Sequence, residues 1–516
     1  MLKQKNKVVL FQGKASTFDR KIGIAPLALL HVASFLVKDG IDVKVISDAL
    51  YDDFIAEALK HCGDSICLGI TAMTGNQILD GLKVASEVRR LYPHLPIVWG
   101  GWHPSIMPES TLEDPHVDIV IRGQGEKKFY DLVKCFQSER PRNLDAIPGL
   151  CYKSNGQLII KENPGIEDTN NFPTVCYDII DVEKCISKTE YGNRTLQYIS
   201  SYGCPFRCSF CIEPVVSKRK WVGLEAKRVV SEWAYLYKKY KIDSIAVYDS
   251  NFFVDKKRVV DICEGLLKNN IKIKIGNLNG RIPQLAKYEE EVWQLMEKAG
   301  MAMILTGSES GEQDVLDLIK KDARIEDIYK FTRLCCEHNI KVLFSYMSGI
   351  PWSKDIEYNR SRVDKEISGI LTQVDALLKI SNKNRFMVYV YNPLPGSELY
   401  YKAVECGFDP PKSLSEWASS LTSPEDVFQN SGCKKMWITR RQLFLIAMLE
   451  QYIFGMLDLD AKEWIGVNIQ NRFFRFLFGL SFTLGSCLAK IRLKFKIFVL
   501  PFDYWIFIRA RKLLKA

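Results

Sequence analysis

Three cysteines fall within eight residues, Cys204-Pro205-Phe206-Arg207-Cys208-Ser209-Phe210-Cys211, immediately after a short strand candidate. No other feature limits the fold of this chain as tightly. A structural zinc site wants four protein ligands, usually supplied as two Cys-x2-Cys pairs. Here the next cysteine is Cys263, and no histidine lies nearby. Iron–sulfur clusters are held by thiolates, and three thiolates on a four-iron cluster leave one iron open to a substrate or cofactor. Pro205 and the charged Arg207 do not fit an apolar strand packed in a core. The spacing therefore predicts a loop that holds a 4Fe–4S cluster through Cys204, Cys208 and Cys211.

The rest of the chain supplies a scaffold for that loop. At ~150 residues per domain, 516 residues make about three domains. With 47% hydrophobic and 26% charged residues the chain is an ordinary folded protein, neither disordered, collagen-like nor a disulfide mini-protein. Fifteen cysteines with no signal-peptide h-region predict reduced thiols and a cytoplasmic location. Strand candidates Val8–Phe11, Val43–Ile46, Ile66–Ile70, Ile97–Trp99 and Ile119–Ile121 alternate with helical patterns, and Pro26 and Gly40 bound the first helix. Residues 1–140 thus read as a doubly wound parallel α/β sheet, whose ligands lie outside the carboxyl ends of its strands. Residues 141–195 are a connector with a small hairpin around Ser154-Asn155-Gly156-Gln157. Six further βα units over 196–400, with strands at Tyr198–Ser200, Ser244–Val247, Ile271–Ile275, Ala302–Thr306, Lys341–Tyr346 and Arg385–Tyr391, predict a partial (β/α)6 barrel. Residues 401–465 read as helical and 466–516 as a separate zone.

The cysteine spacing resembles that of the radical S-adenosylmethionine (SAM) superfamily. The resemblance implies that the open iron chelates S-adenosylmethionine and that an electron from the cluster cleaves it to a 5′-deoxyadenosyl radical. An electron donor such as flavodoxin or ferredoxin is implied as well. Phe210 matches the family's aromatic residue near the adenine. Asp249 closes the second barrel strand, Arg281 follows the third, Ser308 and Glu309 follow the fourth, and Gly349 opens Gly-Ile-Pro after the fifth. These positions resemble the family's SAM contacts. Tyr391-Asn-Pro-Leu-Pro-Gly-Ser-Glu-Leu399 is similar to the segment such enzymes carry beyond the last core strand.

Three segments sit at strand ends of the first domain, with paired glycines that leave room for a flat, bulky ligand. They are Gly69–Gly75, Gly100–Ser105 and Gly123–Glu126. No Gly-x-Gly-x-x-Gly follows the first strand, which argues against a dinucleotide fold. The segments resemble the cobalamin-binding domain found in front of radical SAM domains in the class B methylase group. The resemblance implies cobalamin contacts from Thr71, Met73, Thr74, Gly75, Gly100, Gly101, Trp102, His103, Gly123, Gln124 and Glu126. Gln124 stands where the family usually has a glutamate. The mutase-type Asp-x-His-x-x-Gly is replaced by Asp19-Arg-Lys-Ile-Gly23, so no imidazole is offered to the lower cobalt face. His103 reads as a loop histidine bonded to backbone rather than a cobalt ligand.

From Trp464 onward ten basic residues face one acid, Asp503, a balance of +9 within a chain total of +10. The catalytic body is therefore nearly neutral, which speaks against a nucleic-acid partner. The zone also carries uncharged Phe476–Ala489 and aromatic Ile497–Ile508, both too short to span a bilayer. Aromatics beside Lys and Arg predict peripheral contact of 466–516 with the inner face of the membrane. Together these features predict a cobalamin-dependent radical SAM methyltransferase acting on an unactivated carbon of an apolar or lipid-like substrate. The alternatives are an oxidative cyclase of a porphyrin ester or similar ring, as in the anaerobic cyclases with the same domain order, and a non-catalytic cobalamin or iron–sulfur sensor. No catalytic acid or base is identifiable.

Overall fold

The computed structural model describes residues 5–14, 23–138, 143–420, 435–458, 472–499 and 501–515. All five N-terminal strand candidates form: β1 (Lys7–Gln12), β2 (Asp42–Ser47), β3 (Leu68–Thr71), β4 (Ile97–Gly100) and β5 (Ile119–Ile121). They pair in parallel in the order β2-β1-β3-β4-β5. Val8 to Phe11 are almost wholly buried, as a strand covered by helices on both faces must be. The chain reverses its direction of strand addition at β1, and the crevice above β1 and β3 is where such a sheet binds ligands. The hairpin at Asn155-Gly156 forms as β6 (Leu150–Ser154) and β7 (Gln157–Ile159), and it extends the same sheet antiparallel beyond β5. Of the segment that replaces the mutase-type motif, residues 18–22 lie outside the described residues.

The second domain curves around two four-stranded sheets. One comprises β8 (Ser187–Thr189), β9 (Gly192–Tyr198), β12 (Ser244–Val247) and β13 (Lys274–Gly276). The other comprises β14 (Leu278–Asn279), β15 (Met303–Glu309), β16 (Lys341–Ser348) and β17 (Arg385–Val390). β13 runs into β14 with one residue between them, and a parallel bridge joins Ile275 to Met301. The result is one curved parallel barrel wall with β8 antiparallel at its edge.

The first barrel strand differs from expectation. It ends at Tyr198, because the Ser200 N–H donates to the Asp249 carboxylate (2.6 Å) rather than to a ladder carbonyl. Ser201–Gly203 (β10) pairs instead with Trp221–Gly223 (β11), an antiparallel hairpin whose span encloses the three cysteines. The fourth strand is also longer than expected, continuing through a bulge to Glu309.

C-terminal to the barrel, Arg440–Met448 continues through a π-helical turn, Leu449–Phe454, and packs on β17 with Phe454 and Phe386 rings 5.7 Å apart. The last zone folds as two helices, Arg472–Phe495 and Phe502–Lys515, tied together by Arg492 and Asp503 at 2.6 Å. Among the described residues no helix is long and apolar enough to cross a membrane.

Candidate active site

The cysteine loop leaves β10 at Gly203, whose φ of +79° is open to glycine. A Cβ there would sit 2.2 Å from the Lys220 carbonyl oxygen across the hairpin. The loop is stapled at its middle. The Ser209 N–H donates to the Ile319 carbonyl (2.9 Å), and the Ser209 carbonyl accepts from the Leu399 N–H (2.7 Å). Cys204, Cys208 and Cys211 are all partly exposed free thiols. Among the described residues no three His, Cys, Asp or Glu side chains converge on a single ion. Three thiols carried on one loop are the donor chemistry that an iron–sulfur cluster takes.

Burial pushes the Cys211 thiol up to about 12, so its thiolate needs positive charge nearby. Two cations stand beside the loop. Lys321 is buried and pairs with Glu309 at 2.7 Å. Burial opposes its charge, yet the Glu309 carboxylate holds its pKa above the ordinary lysine value. Its ammonium also lies 6.0 Å from the Phe210 ring centroid. Arg281 stacks its guanidinium 4.0 Å over Phe206 and donates to the Lys321 carbonyl.

The sequence candidates on this side meet varied fates. Asp249 is buried and already accepts from the Ser200 and Ser201 hydroxyls (2.6 and 2.7 Å), so it organises the entry to the cysteine loop. Burial pushes its carboxyl up. The Ser308 hydroxyl donates to Gln373 (2.7 Å), which also accepts from the Tyr346 hydroxyl. Glu309 holds Lys321 from a left-handed backbone position, φ +61°. Gly349, at φ +87°, is clamped from both sides. Its N–H donates to Glu366 (2.7 Å), and its carbonyl accepts from the Trp437 indole (2.9 Å). Glu366 also takes bonds from Ser348 Oγ and the Trp352 indole, and burial pushes its carboxyl up to about 7.

Between the two domains lies an open cavity of about 290 Å³. Its floor is the carboxyl edge of the first sheet, with Gly69–Thr71, Gly100–Trp102 and Gly123–Glu126, and its roof is Tyr202, Glu213, Tyr248 and Ser250 of the barrel. The glycines explain its shape. A Cβ at Gly100 or Gly125 would touch nothing closer than 3.8 Å and would fill the cavity instead. At Gly101 (φ +94°) a Cβ would lie 2.7 Å from Thr71 Oγ1. A broad ligand lying on this edge needs such a bare floor.

Of the sequence candidates, Thr71, Gly100, Gly101, Trp102, Gly123, Gln124 and Glu126 line the cavity, whereas Met73, Thr74, Gly75 and His103 do not. The chain turns away after Thr71 to start the helix Asn76–Leu91, and Met73 faces solvent. His103 is fully buried against Trp417, with its Nδ1 3.1 Å from Thr74 Oγ1, and burial lowers its pKa to about 4. It is bonded to a side chain rather than to backbone, and it braces the loop from behind.

The sequence reading missed the residues that join the two domains. His31, on the helix Leu27–Lys38, lines the cavity with Nδ1 2.7 Å from the Tyr202 hydroxyl. Burial lowers its pKa to about 4, so it is a neutral base. Its buried Nε2 has no hydrogen-bond partner among the described residues. Glu213, two residues after Cys211, is buried and accepts from Ser250 Oγ (2.7 Å). No spacing rule marks a single histidine or glutamate of this kind.

Comparison with known proteins agrees with this geometry. Residues 21–133 match the B12 binding domain and residues 198–357 the radical SAM superfamily. An uncharacterized methyltransferase of Pyrococcus horikoshii is 28% identical over 401 residues, covering 75% of this chain and 81% of its own. The anaerobic magnesium-protoporphyrin IX monomethyl ester cyclase of Rubrivivax gelatinosus is 24% identical over 452 residues, covering 85% and 77%. The hopanoid C-3 methylase of Methylococcus capsulatus is 21% identical over 340 residues, covering 64% and 62%. Among solved structures, the radical SAM methyltransferase TsrM from Kitasatospora setae, with cobalamin and a [4Fe-4S] cluster bound, superposes with a TM-score of 0.61 at 19% identity, covering 78% of each chain. The chain thus joins a B12-binding domain to a radical SAM domain and is an enzyme of the radical SAM superfamily.

Proposed function

We propose that this protein is a cobalamin-dependent radical SAM methyltransferase whose substrate is an apolar or lipid-like molecule methylated at an unactivated carbon. Cys204, Cys208 and Cys211 would hold the cluster, Phe210 and the clamped Gly349 loop would take S-adenosylmethionine, and the glycine floor of the cavity would take the corrin. When bound, these groups supply a hydrogen-abstracting radical and a transferable methyl group. The chain's own task is placement. Lys321 and Arg281 offset the negative charge of the cysteine loop. Glu366 and Trp437 fix the Gly349 turn. Tyr202 and His31 join the hairpin that leads into the cysteines to the glycine floor, beside one cavity between the domains.

The observation that carries this reading is that one cavity is lined both by the carboxyl edge of the B12-binding sheet and by the hairpin leading into the cysteines. Its lining is largely apolar, with Leu10, Val32, Ile70, Ile121 and Ile166, which favours an apolar substrate. Kinship with a hopanoid methylase supports the same choice. Kinship with the porphyrin ester cyclase favours a second reading, oxidative ring closure, in the same cavity. Either reaction draws its electron from an external donor of the flavodoxin or ferredoxin type. Product mass separates the two after anaerobic turnover with S-adenosylmethionine and candidate lipids. Methylation adds one CH2 to the substrate, and a product with an unchanged carbon count overturns it in favour of the cyclase.

A further inference from the structure

The helix Arg472–Phe495 is apolar on two opposite faces. One face packs on the body through Phe482, Ala489 and Leu493, all buried. The other carries Phe476, Leu480, Leu484, Leu488, Ile491 and Phe495, spaced three or four residues apart and each 43 to 68% exposed. That spacing lines them up along one side of the helix. Beyond the helix end, Val499, Phe502 and Ile506 are exposed as well. A contiguous apolar surface of this extent marks an interaction site.

The surrounding charge identifies the partner. Lys490 and Lys494 each precede a stripe residue by one position, at the edge of the stripe, and both are exposed, as are Arg472 and Arg509. From Arg472 to Lys515 the single acid is Asp503, and it is occupied by Arg492. A second copy of the chain would bring the same cations together, which opposes self-association through this face. Nucleic acid would leave the apolar stripe in water. We infer that this face docks the enzyme on an anionic lipid surface, the helix lying in the headgroup plane with its stripe among the acyl chains and its lysines and arginines on the phosphates. The length and composition of the helix suit lying in an interface, since no described helix is apolar enough to span. The inference concerns the surface partner and is independent of which reaction the cavity runs.

Flotation of the full chain with phosphatidylcholine vesicles, with and without phosphatidylglycerol, tests it. Binding is expected to be about tenfold or more stronger on the anionic vesicles and to weaken with salt. The double variant Leu484→Glu/Ile491→Glu should lose about tenfold or more of that binding while keeping the melting temperature and reconstituted iron content, because both positions are exposed. A full chain that ignores anionic vesicles, or binds neutral ones equally well, overturns the inference. A dimer in solution that the same double variant splits overturns it too, in favour of a second copy.

Discussion

The cysteine loop and the interdomain cavity are built by opposite means. Around the loop the charged side chains are held by partners on other segments. Buried Lys321 answers Glu309, Arg281 lies on Phe206, and Asp249 is saturated with serine bonds. At the cavity floor the working feature is missing side chains, at Gly100 and Gly125, beside a histidine nitrogen that no described residue satisfies. If the loop binds its cluster as proposed, it does so through directed ligands and charge balance, and single losses should be severe. The cavity would bind through shape, so it should fail when something is added.

The largest effect expected is at the loop. Serine at Cys204, Cys208 and Cys211 together should reduce about four irons per reconstituted chain to none while leaving corrinoid uptake intact. Iron retained by that variant would place the cluster elsewhere. The converse change fills the cavity. Gly100→Phe should lower bound corrinoid by about tenfold or more with iron unchanged, and full corrinoid retention would show that the glycine edge is not the floor. Lys321→Met tests charge balance. It leaves Glu309 buried and unpaired, which costs about 3–5 kcal/mol of stability, read as the shift in chemical denaturation. A shift within the range of an exposed ion pair would remove Lys321 from the account.

The smallest effect is a pH dependence. Glu366 has its folded pKa raised from 4.5 to about 7, so the folded protein holds this proton where the unfolded chain gives it up. The associated stability is complete below pH 4.5 and is lost as pH rises through 7, by about 3 kcal/mol. Glu366→Gln should therefore flatten the fall in stability between pH 5 and pH 8, and equal slopes in the two proteins would contradict the assignment.

What could be read from the sequence follows from the same contrast. The cysteine loop was legible because its three cysteines lie within eight residues, a spacing readable without any tertiary contact. The first sheet was legible because strands buried on both faces are continuous apolar runs, and its glycine pairs announced the bare edge. The partners were not. Lys321, Glu366, Trp437 and His31 act from separate helices and segments, and their roles exist only once β15, β16 and the helix Leu27–Lys38 are packed. His103 shows the reverse error, since it sits in the family-like segment but turns behind the loop onto Trp417. The bonds of Asp249 to Ser200 and Ser201, which end the first barrel strand early, likewise join residues 48 or 49 positions apart.

The proposal to be tested is that one chain carries a cluster at its cysteine loop and a corrinoid in the interdomain cavity beside the hairpin that leads into that loop. Anaerobic reconstitution of the full chain with iron, sulfide and hydroxocobalamin, followed by metal and corrinoid quantification, tests it most directly. About four irons and about one corrinoid per chain are expected. A chain that takes up its iron but retains no corrinoid would contradict it.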